Sequence, residues 1–328
     1  MKKISVLIVG FLCLMSSATR AETGAFDFDR WNTMLNNIQN RAVAEKIDDG
    51  VINATIQDAA FIPKIVWRDK NQAEFKMTMD GYLARMINDK RIGDGKKMRK
   101  TYPTLLNKVY EKYGVPPNVI LAFWGMESNY GKYKSHYQLS DAFLTLIYEG
   151  RRETFFTDQL LALMRIADKN NLAVDEIRGS WAGAMGHFQF IPTTLLAYGA
   201  DGNGDKKIDI IHNISDAMFS AGNYLNKLGW NKNEKILRRV ELPENFDTAL
   251  CDGKTKMPLN DWGAMGIVGV PNADIIAGIV CDTSVIPQTS APCHQTAYLT
   301  YPNFYRIKRW NNSNWYAVAI GVLADELK

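Results

Sequence analysis

Residues 116–131, PPNVILAFWGMESNYG, have the pattern of a helix that lies inside a domain. Pro116 and Pro117 stand at its first positions, where a missing backbone N–H costs nothing. Gly131 can adopt the left-handed conformation that commonly follows the last turn of a helix. The residues between these ends are apolar on every face, which is typical of a buried helix. The rest of the chain must therefore supply the elements that surround it.

One carboxylate, Glu127, lies in the last turn of this predicted helix. Glu is almost never fully buried without a partner. Burial beside Trp124 and Met126 would raise its pKa, because desolvation disfavours the charged form. A carboxylic acid that stays protonated at neutral pH can act as a general acid. In the other interpretation the helix end reaches the surface and Glu127 is solvated, and the helix alone leaves both open.

The start of the chain predicts export. A positive N-terminus, an apolar run over residues 4–15 and small residues before Ala21 form the pattern of a secretory signal peptide, residues 1–21. The apolar run is too short to span a bilayer. Cys13 lacks the small residues before it that a lipoprotein signal would have. We expect cleavage after Ala21, a periplasmic location and no lipid anchor.

Charge and length limit the class of protein. The chain of 328 residues carries a formal net charge of +4, which falls to +1 without residues 1–21, since these hold three basic and no acidic side chains. A nearly neutral mature chain is not a strongly basic nucleic-acid-binding protein, so we expect no nucleic-acid partner. About 300 mature residues exceed what a single core usually holds, so several subdomains are expected.

Helical periodicity dominates the chain up to Trp230, and the pattern then changes. Residues 231–300 hold several prolines and short apolar runs, of which 238–242 and 275–280 resemble short strands. The chain ends on an apolar helical segment, 316–327, which needs a core to bury it. The pattern therefore predicts a mainly α-helical protein with a small β-containing insertion.

Three cysteines remain after removal of the signal peptide: Cys251, Cys281 and Cys293, all within the predicted insertion. An exported chain can keep disulfides, and an odd count allows at most one internal bridge. Cys281–Cys293 closes the shorter loop, but geometry rather than loop length decides which pair forms. We expect the bridge to matter for the insertion more than for catalysis.

A second informative stretch is residues 179–192, GSWAGAMGHFQFIP. Its small residues let a backbone or a ligand approach closely, and aromatic residues alternate with them. The amide of Gln189 can both donate and accept hydrogen bonds. These features suit the floor of a sugar-binding groove. A tight crossing of two helices, with small residues at the contact, would give the same composition.

Several motifs occur in a fixed order along the chain: DKNQAEF at 69–75, WGMESNYG at 124–131, GRR at 150–152, the stretch at 179–192 and RWNNS at 309–313. Together they resemble the lytic murein transglycosylase B family, from about Phe26 to the C-terminus. The resemblance implies a lysozyme-like, mainly α (α+β) fold. Its expected parts are a helical N-terminal domain (22–98), a lysozyme-like catalytic core (99–230), the β-containing insertion (231–300) and a C-terminal segment that returns to the core (301–328).

The resemblance also implies the site residues. It places a single catalytic acid at Glu127. Contacts with the substrate are expected at Ser128, Tyr130, Arg151, Arg152, Ser180, Gln189, Trp310, Asn311 and Tyr316. Some relatives carry Tyr at the position of Trp310; either ring can stack on a sugar, although Trp has no hydroxyl with which to hydrogen-bond.

The resemblance implies a catalytic site with one carboxylate, whereas ordinary glycosidases use two. Glu127 is expected to protonate the glycosidic oxygen between N-acetylmuramic acid and N-acetylglucosamine, and then to deprotonate the muramyl C6 hydroxyl. That hydroxyl closes on C1 and leaves a 1,6-anhydro end without consuming water. Peptidoglycan glycan strands are the expected substrate, and proteins of cell-wall synthesis or remodelling are candidate partners.

Two other functions stay open. A hydrolytic muramidase on the same fold would release a reducing end, and a peptidoglycan-binding protein would have lost catalysis. Retention of Glu127, Ser180 and Gln189 in their motifs argues against such a loss. A peptidase is poorly supported, because the four histidines of the chain form no metalloprotease motif.

Residues 201–212, DGNGDKKIDIIH, resemble a calcium-binding loop. Oxygen-bearing side chains fall at its first, third, fifth and ninth positions, namely Asp201, Asn203, Asp205 and Asp209. Two features disagree, since Lys206 replaces the usual Gly and His212 replaces the bidentate Glu. A turn whose Asp and Asn side chains bond to their own backbone has the same composition. No cofactor is required by the predicted chemistry, and any calcium here would be structural and weak.

Overall fold

A computed structural model of the chain describes residues 26–71, 77–133, 136–282 and 295–328. The predicted signal peptide and Cys293 lie outside these described residues. Across the four described ranges, no helix is both long and apolar enough to cross a membrane.

The described residues of the N-terminal part form five helices. Their bounds are Phe28–Ala44 (α1), Asp49–Ile56 (α2), Pro63–Lys70 (α3), Met79–Met86 (α4) and Asp89–Thr101 (α5). Four of them begin at a capping side chain that accepts backbone N–H groups, supplied by Asp27, Asp48, Thr78 and Asn88. α3 begins instead with Pro63, which needs no N–H partner.

The N-terminal helices share one hydrophobic core with the helices that follow. Trp31 and Ile38 of α1 belong to the same cluster of buried side chains as Leu323 near the C-terminus. The predicted boundary at residue 98 falls inside α5. The division into the domains 22–98 and 99–230 stays a prediction.

In the central part of the chain, the residues that the structure describes form six helices and two very short strands. Their bounds are Pro103–Tyr113 (α6), Pro117–Ser128 (α7), Tyr137–Gln138 (β1), Leu139–Glu149 (α8), Glu153–Asn170 (α9), Arg178–Gly179 (β2), Pro192–Tyr198 (α10) and Ile214–Lys227 (α11). Every residue of α7 from Val119 to Met126 is buried, so the central buried helix predicted from the sequence is confirmed. It packs against α5, α6, α11 and the last helix of the chain.

The segment predicted as an insertion, residues 231–300, forms a four-stranded antiparallel sheet in its described part. It is called the inserted segment below, and its status as a separate domain stays a prediction. Its elements are Leu237–Leu242 (β3), Asp252–Pro258 (β4), Leu259–Ala264 (α12), Ile276–Cys281 (β5) and Gln295–Thr300 (β6), and the strand order is β3-β6-β5-β4. A second hydrophobic cluster fills one side of this sheet around Trp262. The sequence predicted β3 and β5 but missed β4 and β6.

The disulfide of the described residues joins Cys251 to Cys281, with the two Cα atoms 5.3 Å apart. The sequence left the choice of pair open, and chain separation alone would have favoured Cys281 with Cys293. The antiparallel pairing of β4 with β5 sets Asp252 opposite Val280 and so brings the neighbouring Cys251 and Cys281 together.

Two helices complete the chain, Pro302–Trp310 (α13) and Asn314–Glu326 (α14). α14 is buried over most of its length and packs directly on α7. The last helix therefore returns from the insertion to the helical core, as its apolar sequence predicted.

Candidate active site

The C-terminal end of α7 has an unusual backbone. After Ser128, three residues in a row have positive φ: Asn129 at 50°, Tyr130 at 60° and Gly131 at 77°. The sequence predicted this conformation at Gly131 only. Asn adopts it with little difficulty, but Tyr does so rarely. Such conformations persist where surrounding structure enforces them, and they are frequent at functional sites.

Glu127, in the last turn of α7, has a strongly raised pKa. Its side chain is only partly exposed, and closely packed protein atoms surround the carboxyl. This burial is the largest influence and raises the pKa from 4.5 to about 7, against the smaller lowering effect of hydrogen bonds from Tyr316 and Trp310. Of the two interpretations that the helix left open, burial with a raised pKa is therefore favoured over a solvated carboxyl.

Two side chains from the end of the chain hold the Glu127 carboxyl. The hydroxyl of Tyr316 donates to Glu127 Oε1 at 2.5 Å. Burial and the charge of Glu127 raise the pKa of Tyr316 well above its ordinary value, so the hydroxyl keeps its proton and remains a donor. The Trp310 side chain supplies the second hydrogen bond. The sequence did not predict a hydrogen bond here, because Trp has no hydroxyl, yet the indole N–H serves as the donor.

The ring of Trp310 is itself packed among aromatic side chains. Its centroid lies 4.6 Å from that of Phe123, 5.0 Å from that of Tyr224 and 5.2 Å from that of Phe190. The ring remains partly exposed. This packing fixes the direction of the indole N–H and leaves less of the ring surface for the sugar stacking expected from the sequence.

A third side chain near Glu127, Tyr82, was not predicted as a site residue. It projects from α4, its ring lies 5.9 Å from that of Trp315, and burial together with the charge of Glu127 raises its pKa. The sequence showed Tyr82 only as part of the apolar face of a helix. Its proximity to Glu127 depends on how α4 packs against α14, which no local pattern encodes.

Residues 179–190 form a tight turn rather than a helix crossing. Met185 bridges both Gly179 and Phe190 in antiparallel pairing, and the Ser180 hydroxyl accepts from the backbone N–H of Ala184 at 3.0 Å. Gln189 has a φ of 48°. The helix-crossing interpretation of this stretch is therefore wrong, because its small residues lie in tight turns where the chain reverses direction.

Gly183 shows why the turn needs small residues. Its φ is 96°, and a Cβ at this position would overlap the ring of Phe143. The side chains of Ser180 and Gln189 remain partly exposed on the turn, with the Gln189 amide N–H₂ donating to Gly186 O at 2.9 Å.

The turn is joined to the end of α7 by two hydrogen bonds through His187. The Ser128 hydroxyl donates to His187 O at 2.6 Å. Trp124 Nε1–H donates to His187 Nδ1 at 3.0 Å, which requires a neutral ring with its proton on Nε2. Burial lowers the pKa of His187, in agreement with the neutral form.

A cleft of about 360 Å³ lies at this junction between the turn and the end of α7. Ser128, Tyr133, Arg178, His187, Gln189 and His212 are among the residues that line it. Gln189, one of the predicted substrate contacts, therefore lies in a concave site, as ligand-binding residues usually do.

Two predicted substrate contacts, Ser128 and Tyr130, are buried. The Ser128 hydroxyl accepts from Gly131 N at 2.9 Å in addition to its bond with His187. The Tyr130 hydroxyl donates to Arg91 O at 3.0 Å, and its ring lies so close to Gly125 that a Cβ there would overlap it. Both side chains stabilise the turn after α7, so support of the site is a better interpretation than direct contact with substrate.

Arg151 and Arg152 form a cluster with the buried carboxylate of Asp69. Arg151 Nε donates to Asp69 Oδ2 at 3.0 Å, and Arg152 Nη2 donates to Asp69 Oδ1 at 2.9 Å. The two arginine side chains are about half exposed. Asn311 lies exposed directly after α13. Their roles as substrate contacts stay predictions.

The side chains of the calcium-like loop bond to their own backbone. Asp201 accepts from Gly204 N and Lys206 N, Asn203 from Asp205 N, Asp205 from Lys207 N and Asp209 from His212 N. Within the described ranges, no three His, Cys, Asp or Glu side chains are arranged to hold a metal ion. The geometry favours the turn interpretation, and calcium binding at these residues stays a prediction.

Comparisons with known proteins agree with this architecture. The chain matches the model of the transglycosylase SLT domain over residues 30–325. Membrane-bound lytic murein transglycosylase B of Escherichia coli K12 is 29% identical over 250 residues, which are 74% of this chain and 66% of that protein. The match therefore spans slightly less than two thirds of the length of that relative.

Two structures of SltB3 from Pseudomonas aeruginosa, in complex with NAG-anhNAM-pentapeptide and with NAG-NAM-pentapeptide, are 33% identical to this chain. They cover 90% of this chain and 79% of their own, with TM-scores of 0.82 and 0.83. The Escherichia coli lytic transglycosylase Slt35 in complex with calcium is 23% identical, covers 91% of this chain and 92% of its own, and has a TM-score of 0.76. The predicted lysozyme-like, mainly helical fold is confirmed, and the chain belongs to the transglycosylase SLT domain family.

Proposed function

We propose that the protein is a lytic transglycosylase. It cleaves the β-1,4 bond between N-acetylmuramic acid and N-acetylglucosamine in peptidoglycan and leaves 1,6-anhydromuramyl ends. The observation that carries the proposal is the state of Glu127, a carboxyl with a pKa of about 7 and two neutral hydrogen-bond donors. Membership of the SLT domain family supports the same activity.

A single carboxyl with such a pKa can serve both proton transfers. In its acid form Glu127 gives a proton to the glycosidic oxygen, the C1–O bond breaks and N-acetylglucosamine leaves with that proton. In its carboxylate form it removes the proton of the muramyl C6 hydroxyl while that oxygen bonds to C1. The carboxylic acid is regenerated and no water is consumed. A pKa near the working pH makes both forms accessible, which is the optimum for general acid–base catalysis.

The influences on the pKa of Glu127 favour this one-carboxylate scheme. They are burial and the two donors Tyr316 and Trp310, and no acidic side chain of the described residues is among them. A second carboxylate at the separation of about 5–10 Å used by retaining or inverting glycosidases would be expected to raise the pKa further. The acetamide of the substrate is then the nearest candidate to stabilise the positive charge that develops at C1.

The substrate contacts divide into two groups. Ser180, Gln189 and Asn311 have partly or fully exposed side chains and are proposed to meet the glycan directly, as are Arg151 and Arg152. Ser128 and Tyr130 are buried beneath the site, and Trp310 and Tyr316 hold the catalytic carboxyl. The SltB3 complexes with peptidoglycan fragments support glycan strands as the substrate.

The chemical form of the product tests the proposal. Purified sacculi are digested and the released muropeptides are analysed by mass, before and after borohydride treatment. Anhydromuramyl ends are lighter by one water than hydrolysed ends and resist reduction. Reducible ends would instead establish the hydrolytic muramidase, and binding without any release would establish the inactive binding protein.

Export to the periplasm is proposed from the sequence of residues 1–21. This location would bring the enzyme to its substrate and allow the Cys251–Cys281 disulfide to persist. Proteins of cell-wall synthesis or remodelling remain candidate partners.

A calcium ion at Asp201, Asn203, Asp205 and Asp209 is proposed as a structural ligand only. These four oxygen-bearing side chains fit the chemistry of calcium, and the complex of Slt35 with calcium supports the idea within the fold. Lys206 and His212 replace the usual Gly and bidentate Glu of such a loop, which weakens it as a calcium site. Weak binding without a role in turnover is therefore expected.

A further inference from the structure

The inserted segment contacts α4 at the residue where this helix begins. The Asp282 carboxylate, directly after β5, accepts from the backbone N–H of Met79 at 2.5 Å, and both residues are buried. Met79 is the first residue of α4, so its N–H has no partner within the helix. A carboxylate at this position also stabilises the helix N-terminus. One turn further along, α4 carries Tyr82, whose pKa responds to the charge of Glu127.

A second contact of the insertion is made with the start of α14. Asn314 Nδ2 donates to Asp252 O at 3.3 Å. Asn314 also lies against Gly253, where an added Cβ would come within 3.0 Å of Asn314 Nδ2. Asn314 is the first residue of α14, and Tyr316 follows two residues later.

The disulfide connects these two contacts. Cys251 directly precedes Asp252, and Cys281 directly precedes Asp282. The disulfide therefore links Asp252, which contacts the start of α14, to Asp282, which contacts the start of α4. The two helices also meet each other near Glu127, where the rings of Tyr82 and Trp315 lie 5.9 Å apart.

The sheet itself is seated on the helical core. Val280 and Tyr298, from β5 and β6, belong to the main hydrophobic cluster rather than to the smaller one around Trp262. Tyr298 lies close enough to Asp80 of α4 for the two side chains to interact electrostatically. The insertion is thus packed against α4 as well as hydrogen-bonded to it.

We propose that the inserted segment is a brace for the active site, in which the Cys251–Cys281 disulfide, Asp282 and Asn314 hold α4 and α14 in the positions that place Tyr82 and Tyr316 beside Glu127. Asp282 and Asn314 are then positioning residues for the reaction. This differs from the expectation, drawn from the sequence, that the disulfide matters for the insertion more than for catalysis. The proposal rests on the proposed role of Glu127.

Asp282→Ala tests the contact with α4. A displacement of about 1 Å at an active site can cost on the order of 100-fold, so loss of one of two contacts is expected to lower kcat about 3- to 10-fold with little change in KM. Asp282→Asn keeps an oxygen that can accept the Met79 N–H and should retain most of the activity. Asp261→Ala is the matched control, because Asp261 is an exposed carboxylate in the first turn of α12 and lies outside both contacts with α4 and α14.

The disulfide is tested by Cys251→Ser/Cys281→Ser and by reduction of the wild type. Each of these changes should lower kcat by a similar factor, while the circular dichroism spectrum remains that of the folded protein. Because both contacts belong to one brace, combining the cysteine variant with Asp282→Ala should cost less than the product of the separate effects. If Asp282→Ala does not fold, Asn314→Ala tests the brace instead, because Asn314 lies partly exposed at the start of α14.

The pH profile separates positioning from general destabilisation. A loosened α4 admits water to Glu127. Since burial is the main cause of the raised pKa of Glu127, the alkaline limb of kcat/KM should move to lower pH in Asp282→Ala and not in Asp261→Ala. Unchanged kcat and an unchanged pH profile in folded Asp282→Ala, Asn314→Ala and the cysteine variant would overturn the brace. Hydrolysed ends from the wild type would overturn the transglycosylase function instead. In that case the ratio of kcat between each variant and the wild type would still test the brace.

Discussion

Tyr316 and Glu127 are 189 residues apart in the chain, yet the Tyr316 hydroxyl donates to Glu127 Oε1 at 2.5 Å. This hydrogen bond favours the carboxylate, while burial favours the acid and is the larger effect. The balance leaves Glu127 with a pKa of about 7. A group in this state can give and take a proton at the same pH.

Glu127→Gln keeps the shape of the side chain and removes its transferable proton. Turnover should fall by more than about 10⁴-fold, because one general acid or base contributes about 10²–10⁴-fold and both roles are lost. Release of muropeptides from sacculi measures the effect, and co-sedimentation with sacculi should show that binding persists. Glu176→Gln, at an exposed position, is the control and should keep full activity. Substantial turnover by Glu127→Gln would remove the proposed acid.

Glu127 should also lower the stability of the folded protein as the pH rises. Its pKa is 4.5 in the unfolded chain and about 7 in the fold, so below pH 4.5 both states are protonated and the side chain has no effect. Between these values the unfolded state releases its proton first. The free energy of unfolding should then fall by up to about 3 kcal/mol.

Thermal unfolding at pH 4 and pH 8 measures this effect. Relative to the wild type, Glu127→Gln should gain stability at pH 8 compared with pH 4, whereas Glu176→Gln should show no such difference. Equal shifts in melting temperature at the two pH values would mean that Glu127 is not desolvated.

The hydrogen bonds to Glu127 should be visible in the pH profile. Wild-type kcat/KM should decline as the pH rises through about 7, because the first step needs the protonated carboxyl. Tyr316→Phe and Trp310→Phe each remove a donor that stabilises the carboxylate and should move this decline to higher pH by about one unit, since a hydrogen bond to a charged group contributes about 1.5–3 kcal/mol.

Tyr224→Phe is the control for these two variants. Tyr224 packs on Trp310, but its hydroxyl donates to Arg309 O rather than to Glu127. A shift in Tyr224→Phe as large as in Tyr316→Phe would show that loss of a nearby hydroxyl, and not of the hydrogen bond to Glu127, moves the pH profile.

Calcium should act on stability and not on turnover. If the ion binds the loop at 201–212, millimolar calcium should raise the melting temperature through preferential binding to the folded state. Asp201→Asn/Asp205→Asn should abolish that increase, and chelation should leave the rate of cleavage unchanged. A melting curve insensitive to calcium would establish the loop as a self-bonded turn.

The exported protein should begin at or near Glu22 and carry no lipid. The basis is the small-residue pattern before Ala21 and the unsuitable sequence before Cys13. Intact mass of the protein recovered from the periplasm checks this. A diacylglyceryl adduct on Cys13 would contradict the predicted signal type.

The sequence by itself determined those features that depend on neighbours along the chain. The prolines and apolar residues of 116–131 predicted a buried helix. The apolar residues around Glu127 made a raised pKa one of two open interpretations, and the structure favours it. The change of pattern after Trp230 predicted that β-strands follow the helical part. The ordered motifs indicated the family, and apolar residues 316–327 predicted a last helix that returns to the core.

Only the tertiary structure decided which distant residues meet. It turned Ser128 and Tyr130 inward, gave Trp310 a hydrogen bond to Glu127, and brought Tyr82 into the site. It also chose Cys281 as the partner of Cys251, through the register of β4 against β5. The physical reason is the same throughout. Periodicity and turn chemistry act over a few residues, whereas these contacts depend on how whole helices and strands pack around α7.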